Sequence, residues 1–299
     1  MLMLDPLRLA MLRELALRGT IAAVAQAMGY TPSAVSQQLA TLEREAGVAL
    51  TTRSGRGLVL TPAGARLATH AQAVLDAIEA AQSSLSHYQE ELDGSVKIAV
   101  FQSAALSLVP AAIARLAQDH PALRVSVVHA EPASALADTW ARDVDLVIAE
   151  EYPHHAAPHY PGLLRSDLLR DEIRLCALGP WAGANALEDL AQAPWIMEPE
   201  GTATRHFAEQ ACRLAGFEPD LRYVSADLHT HATFIEQGIA VGFLPGLMWH
   251  QGRLANHAKP LDPPAWRTVF TAMRQSSALD RSVQAVKTAL EDAAARIPS

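Results

Sequence analysis

Thr31-Pro32-Ser33-Ala34-Val35-Ser36-Gln37-Gln38-Leu39-Ala40-Thr41-Leu42-Glu43-Arg44-Glu45-Ala46-Gly47 is the stretch on which the reading of this 299-residue chain turns. Thr31 suits a helix N-cap, Pro32 the first helical position, where a missing N–H costs nothing, and Gly47 the left-handed stop. Val35, Leu39, Leu42 and Ala46 recur at helical spacing and form one buried stripe. The other face carries Ser33, Ser36, Gln37 and Gln38, with no acid in the first two turns. Taken alone, this is also the pattern of an ordinary amphipathic surface helix.

The flanks separate the two readings. Upstream, Thr20 caps a short helix over Ile21–Met28 and Gly29 makes a tight turn, the spacing of a helix-turn-helix. Downstream, Thr51-Thr52-Arg53-Ser54-Gly55-Arg56-Gly57 and Leu58-Val59-Leu60 read as a hairpin whose arginine-bearing tip suits phosphates or a minor groove. A helix over Asp5–Leu17 backs the pair. The formal charge of −8 is unevenly spread. Residues 1–66 hold seven arginines against Asp5, Glu14, Glu43 and Glu45, a net +3, and the remainder carries −11. Positive charge therefore lies where nucleic acid would be met, at a level that calls for more than one such unit.

These residues, with Gly19-Thr20, Ala25, Ala34-Val35-Ser36-Gln37-Gln38-Leu39, Leu42-Glu43, Gly47, Leu50, Arg53, Leu60-Thr61 and Ala63-Gly64, resemble the winged helix-turn-helix of LysR-type transcriptional regulators. Two positions depart from the family pattern: Thr51 stands where Phe is usual, and Gln37 where Arg is frequent. An amide at 37 favours adenine over guanine. The candidate DNA contacts are Thr20, Thr31, Pro32, Ser33, Ser36, Gln37, Gln38, Arg53 and Arg56.

Thr61-Pro62 opens another helix. Leu67, Ala71, Val74, Ile78, Ala81, Leu85, Tyr88 and Leu92 follow steps of four and three, with no Gly or Pro between Ala65 and Asp93. Such a seam, roughly 45 Å long at 1.5 Å per residue, predicts a dimer interface through Leu67, Ala71, Val74, Ile78, Ala81, Leu85 and Tyr88. The resemblance implies the same linker helix, a dimer and the family's usual tetramer.

From Ser95 the chain alternates strands (Val96–Phe101, Arg124–His129, Val144–Ala149) with helices (Leu106–Asp119, Ala133–Ala141), predicting a covered parallel sheet. Pro153–Pro161 reads as a crossing to a second αβ unit. That unit has strands near Leu168–Leu178, Trp195–Met197, Leu221–Val224 and Ala240–Leu244, and helices over Thr204–Ala215 and Leu228–Gln237. Pro260–Pro264 reads as the return crossing, Thr268–Met273 as a strand of the first sheet and Ala278–Arg296 as the last helix. The order of elements, with Gly238-Ile239-Ala240-Val241-Gly242-Phe243-Leu244-Pro245, resembles the effector-binding half of the same family, itself similar to periplasmic binding proteins.

The expected fold is thus α/β with an N-terminal all-α winged helix-turn-helix (1–60), a long linker dimerisation helix (61–93) and a two-lobed, periplasmic-binding-protein-like effector domain (94–299). Lobe I covers about 94–161 and 268–299, lobe II about 162–267. Ligands in open αβ sheets sit beyond the strand carboxyl ends. The candidates there are Gln102, Ser103, Glu131, Glu150, Thr202, Ala203, Ser225, Asp227 and, by resemblance, Phe243. Ser103 and Thr202 precede helices and favour a small anionic or carboxylate-bearing effector, or serve only as caps. Glu131 and Glu150 suit a ligand amine or plain solvation.

His154, His155 and His159 lie in a proline-rich linker, and His229 and His231 diverge on a helix, so no metal or other cofactor is expected. Cys176 and Cys212 fit buried thiols in a reducing cytoplasm. The charged residues of 1–18 do not read as a signal peptide, and no apolar run approaches a membrane span of ~20 residues. The expected function is a sequence-specific DNA-binding regulator in the cytoplasm. Its partners are double-stranded operator DNA, a small effector, its own copies as dimer and tetramer and, for an activator, RNA polymerase. The rivals are an effector-independent DNA-binding repressor, and a small-molecule-binding protein or enzyme on the two-lobed fold. The chain carries no nucleophile elbow, phosphate loop or metal-base helix, so an enzyme is not expected.

Overall fold

The computed structural model describes residues 4–54, 57–88, 91–249, 254 and 257–297, and the chain divides into two compact units. The first comprises 1–88 with 275–280, the second 89–274 with 281–299.

In the first unit, α1 (Pro6–Arg18), α2 (Ile21–Met28) and α3 (Pro32–Ala46) begin where the sequence offers a cap. Asp5 accepts from the Leu7 amide (2.8 Å), Thr20 from Ala23 and Thr31 from Ala34 (both 3.2 Å), meeting donors that the first turn leaves free. Gly19, Gly29 and Gly47 end the three helices in the left-handed region. Leu9, Leu12, Val24, Val35, Leu39, Leu42 and Leu50 make the core. The strands β1 (Thr51–Ser54) and β2 (Gly57–Leu60) pair antiparallel as the wing.

The long helix α4 (Pro62–Leu85) starts on a Thr61 cap. It ends at Leu85 in a single 3-10 turn, Ser86–Tyr88, short of the expected 93. The serines explain this: Ser84 and Ser86 turn their hydroxyls back to the Ala81 and Ser83 carbonyls, competing with the helix backbone. The helix is about 36 Å long rather than about 45 Å. Leu92 lies beyond it, buried, and off the seam. Leu67 and Ala71 pack into the head's own core, Ala71 wholly, because α4 lies along α1. Ala71 is not free to meet a second chain, which corrects its place in the expected interface, whereas Leu67 is half-buried.

In the second unit, one six-stranded sheet has the strands Arg124–His129, Ser95–Val100, Leu146–Glu151, Ala258–Arg274, Leu163–Cys176 and Gly242–Pro245 side by side in that order. Strands β3 (Ser95–Val100), β4 (Arg124–His129) and β5 (Leu146–Glu151) are parallel, connected through α5 (Gln102–Ser107), α6 (Val109–Asp119) and α7 (Pro132–Ala141). Strand β6 (Leu163–Cys176) leads to β7 (Pro194–Met197), α8 (Ala203–Leu214), β8 (Asp220–Val224), α9 (Leu228–Glu236), β9 (Gly242–Pro245) and α10 (Gly246–Trp249). Then come β10 (Ala258–Arg274) and α11 (Arg281–Ala294). Strands β7 and β8 pair in parallel in a small separate sheet.

Two expectations about the crossings change. Pro153–Pro161 lies outside every named strand, as expected of a linker, but β6 starts at Leu163 rather than near Leu168, and β10 absorbs Pro260–Pro264, so the return crossing is a strand rather than a loop. Strands β6 and β10 pair antiparallel from Ala258↔Cys176 to Arg274↔Leu163. The prolines, which lack ladder donors, sit at the register shift between Pro260 and Ala265. The helix expected over Leu106–Asp119 is also two: α5, and α6 with Pro110 in its first turn.

Candidate functional site

The first site is the outer surface of the head. Thr20, Thr31, Pro32, Ser33, Ser36 and Gln37 are all exposed, around the start of α3. Gln38 departs from expectation: it is half-buried, and its Oε1 accepts from Arg8 Nε at 2.9 Å, which turns it inward. Arg53 is exposed on β1, and Arg56 lies outside the described residues.

The acids of the head are turned to structural work. Glu14 is buried between Arg13 and Arg18. Glu45 holds Arg8. Glu43 accepts from the Leu50 amide (2.9 Å), the Thr51 amide (2.8 Å) and the Thr51 hydroxyl (3.0 Å). Thr51, in place of a family phenylalanine, thus anchors the wing's base by hydrogen bonds instead of by packing. Gly64 is needed beside it, since a Cβ there would meet the Leu50 carbonyl oxygen at 1.9 Å. With the acids engaged, the exposed cations Arg44, Arg53 and Arg66 dominate the surface more than a net +3 suggests.

The second site lies where the strand ends of the C-terminal unit converge. Its centre is Arg267 on β10, 1% exposed. Nε donates to Asp171 Oδ2 at 2.8 Å, and Nη2 to Ser103 Oγ at 2.8 Å and to Asp171 Oδ2 at 2.6 Å. Nη1 donates to Glu150 Oε2 and, at 3.3 Å, to the Tyr152 hydroxyl. A guanidinium has five N–H donors, and all five are used. Asp171 also accepts from the Leu247 amide at 3.1 Å, in a space so close that a Cβ on Gly246 would strike it.

Beside this network is a recess lined by Tyr152, Met197, Glu198, Thr204, Phe207 and Phe243, with Leu228 and His231 among its other walls. The Tyr152 and Phe207 ring centroids are 5.8 Å apart, those of Phe207 and Phe243 5.6 Å in an edge-on arrangement. Burial lifts the Glu198 carboxyl to about 7, aided by Glu150 and Glu131 and opposed by Thr204 and Arg267. Burial likewise raises Glu150, against the pull of Arg267. His231 is buried, its Nε2 lies 2.8 Å from the Ser225 carbonyl, and burial lowers its pKa, so the ring is neutral at pH 7.

The expected effector residues divide accordingly. Gln102 and Asp227 meet each other: Gln102 Nε2 donates to Asp227 Oδ1 at 2.6 Å and Oε1 accepts from the Leu228 amide at 2.7 Å. This clasp caps α9 and brings the Asp227 carboxyl down to about 2. Ser103 and Glu150 are engaged by Arg267. Thr202 caps α8 by accepting from the Arg205 amide, and Ala203 packs beside the Tyr152, Ile173 and Phe207 cluster. Ser225 Oγ accepts from the Asp227 amide. Glu131 is exposed at the start of α7. Phe243 forms a wall of the recess.

At Ser103 and Thr202 the side-chain oxygens are engaged internally, the first by Arg267 and the second as the cap of its own helix, which is the capping role expected as the alternative to anion binding at Thr202. Sequence reasoning missed Arg267, Asp171, Tyr152, Glu198, Phe207 and His231. Glu198 was within reach, since it directly follows the apolar strand Trp195-Ile196-Met197 at its carboxyl end.

Among the described residues no group of three metal-ligating side chains comes together, and no helix is long and apolar enough to cross a membrane. Cys176 and Cys212 are both free and buried, in different core clusters, and burial pushes each thiol up to about 12.

Residues 7–65 match the family model of the bacterial regulatory helix-turn-helix protein, lysR family, and residues 89–295 that of the LysR substrate binding domain. The chain is 31% identical over 234 residues to a probable hydrogen peroxide-inducible genes activator of Mycobacterium avium, covering 74% of this chain and 71% of that one. It is 27% identical over 213 residues, 71% of each chain, to the transcriptional dual regulator GltC of Bacillus subtilis. A full-length OxyR variant from Pseudomonas aeruginosa shares the fold with a TM-score of 0.71 at 19% identity, covering 96% of this chain and 95% of that one.

Proposed function

Since the chain belongs to the LysR family of transcriptional regulators, we propose that two copies bind one operator through the exposed start of α3, under control of a small effector in the cleft of the C-terminal unit. The observation that carries this is the inside-out charge of the head: Glu14, Glu43 and Glu45 engaged in internal hydrogen bonds, Ser33, Ser36, Gln37 and Arg53 at the surface. Ser36 and Gln37 read base edges, the amide favouring adenine. Thr20, Thr31, Ser33 and Arg53 meet the backbone. Pro32 fixes the approach of the helix start.

One head is too weakly charged to hold an operator firmly, so the copies pair through the face of α4 that the head leaves bare. Val74, Ala81 and Leu85 are exposed along it, with Ile78 half-buried beside them, and Tyr88 is exposed in the 3-10 turn that follows; Leu85 is 63% and Tyr88 86% exposed. Two such pairs make the tetramer. The work is cytoplasmic, and in activation the further partner is RNA polymerase. The effector acts by binding one arrangement of the lobes better than another. Two relatives' names mention hydrogen peroxide or a dual regulator, but both thiols here are buried and far from a thiolate pKa, which argues against a cysteine-based peroxide response.

The test is binding of the full chain to duplex fragments of its own genome across a salt series. The expected result is selective binding whose log K falls steeply with log salt, with Ser36→Glu abolishing selectivity and Arg53→Ala reducing the slope by about 0.9. Equal binding of all fragments by wild type and Ser36→Glu would remove the α3 assignment.

A further inference from the structure

The cleft of the C-terminal unit holds one deeply buried cation, Arg267, and that cation has no donor left to offer a ligand. Around it are Glu150 and Asp171, with Glu131 close enough to raise both Glu150 and Glu198 electrostatically. Glu150 and Asp171 are already paired with the guanidinium. Glu198 is different: it lines the recess, its carboxyl is bonded to the Thr204 side chain, and no ion pair joins it to any described residue. The backbone carbonyl of Glu198, not the carboxylate, accepts from Arg205 Nη1. Among the described residues lining the recess there is no lysine or arginine, so an anionic ligand entering here meets carboxyl groups and no free cation.

Three aromatic rings complete the walls. Tyr152, Phe207 and Phe243 face the same recess as Glu198, and their π faces attract positive charge. The recess has room for one group about the size of a water or an ammonium. A single unpaired carboxyl, three rings and a space of that size together suit a charged nitrogen on a small organic body.

We propose that the effector is cationic: a small protonated amine or ammonium compound whose nitrogen seats against the Glu198 carboxylate between the rings of Tyr152, Phe207 and Phe243. This rests on the effector role of the cleft and names the class of molecule it takes. Thr204 orients the Glu198 carboxylate, and Arg267 keeps Glu150 and Asp171 compensated so that Glu198 is the group left to answer the ligand.

The experiment is thermal unfolding of the full chain with matched pairs of probes: propylammonium chloride against sodium butyrate, and benzylammonium chloride against sodium phenylacetate, with sodium chloride as the ionic control. The expected result is a saturable upward shift with the ammonium member of at least one pair and none with its carboxylate. Glu198→Gln, which keeps the shape of the side chain, should weaken amine affinity about tenfold, and Phe243→Leu should weaken it less. Stabilisation by the carboxylates instead overturns the cationic class and leaves the effector cleft standing. Equal amine affinity in wild type and Glu198→Gln overturns the assigned seat, and no shift with either ammonium compound overturns the class. Failure of the regulator reading would appear separately, as loss of selective DNA binding.

Discussion

The head and the cleft solve opposite electrostatic problems with the same residue types. In the head, Glu14, Glu43 and Glu45 are held in internal bonds and Arg44, Arg53 and Arg66 remain outside. In the cleft the arginine is inside and saturated, and carboxyls ring it. The first arrangement suits a partner that brings phosphates, the second a partner that brings positive charge. Formal charge per segment describes neither: +3 understates the head, and −11 says nothing of where the acids gather. What distinguishes the regions is which charges are consumed internally.

The sharpest break of this comparison is Arg267→Met. It leaves Glu150 and Asp171 buried without their cation, and the C-terminal unit should lose about 3–5 kcal/mol of stability. Chemical unfolding followed by tryptophan fluorescence checks this, since all five tryptophans lie outside the head. An unchanged midpoint would mean that the network is incidental.

In the head the matching change is Glu43→Ala. It removes the acceptor shared by the Leu50 and Thr51 amides, with an expected loss of about 1.5–3 kcal/mol and a loosened wing. Hydrogen exchange at those two amides reads the effect directly, and unaltered protection would count against the anchor.

The smallest effect is a pH dependence. The Glu198 carboxyl sits at about 7 in the folded chain, above its ordinary value of 4.5, because of burial with Glu150 and Glu131 nearby. The folded state therefore holds this proton where the unfolded state has lost it. The contribution is fully present below pH 4.5 and disappears as pH rises through about 7. Arg267 opposes the shift, burial lowers the His231 pKa, and Arg205 donates to the Glu198 backbone carbonyl rather than to its carboxyl. Unfolding midpoints of wild type should fall relative to Glu198→Gln between pH 5 and 7.5, roughly the window set by those values. Parallel curves would place the titration elsewhere.

Legibility followed the range of the interactions. Thr20, Thr31 and Thr61 cap amides three residues away, and Gly29 and Gly47 need only their own backbone angles, so the helix-turn-helix was readable. The parallel strands β3, β4 and β5 were readable from apolar runs separated by helices. The seam over α4 was a true periodicity, but Ala71 near its start belongs to the head's own core and Leu92 lies beyond the helix. Heptad spacing does not tell a partner helix from α1, which takes Ala71. Pro260–Pro264 looked like a loop because prolines cannot donate, yet a register shift inside β10 accommodates them.

Left to itself, the amino-acid order determined the local frame: where helices start and stop, which face of α3 is polar, and that two αβ lobes follow. Only the tertiary structure decided which polar groups remain free. Arg267 is joined to Asp171 across 96 residues, to Glu150 across 117 and to Ser103 across 164. Hydrogen-bond saturation is a property of atoms brought together by the fold, and no spacing along the chain encodes it. For that reason the Ser103 hydroxyl, which resembled an open site, is engaged by Arg267, while Glu198, one residue past a buried strand, has no ion pair among the described residues.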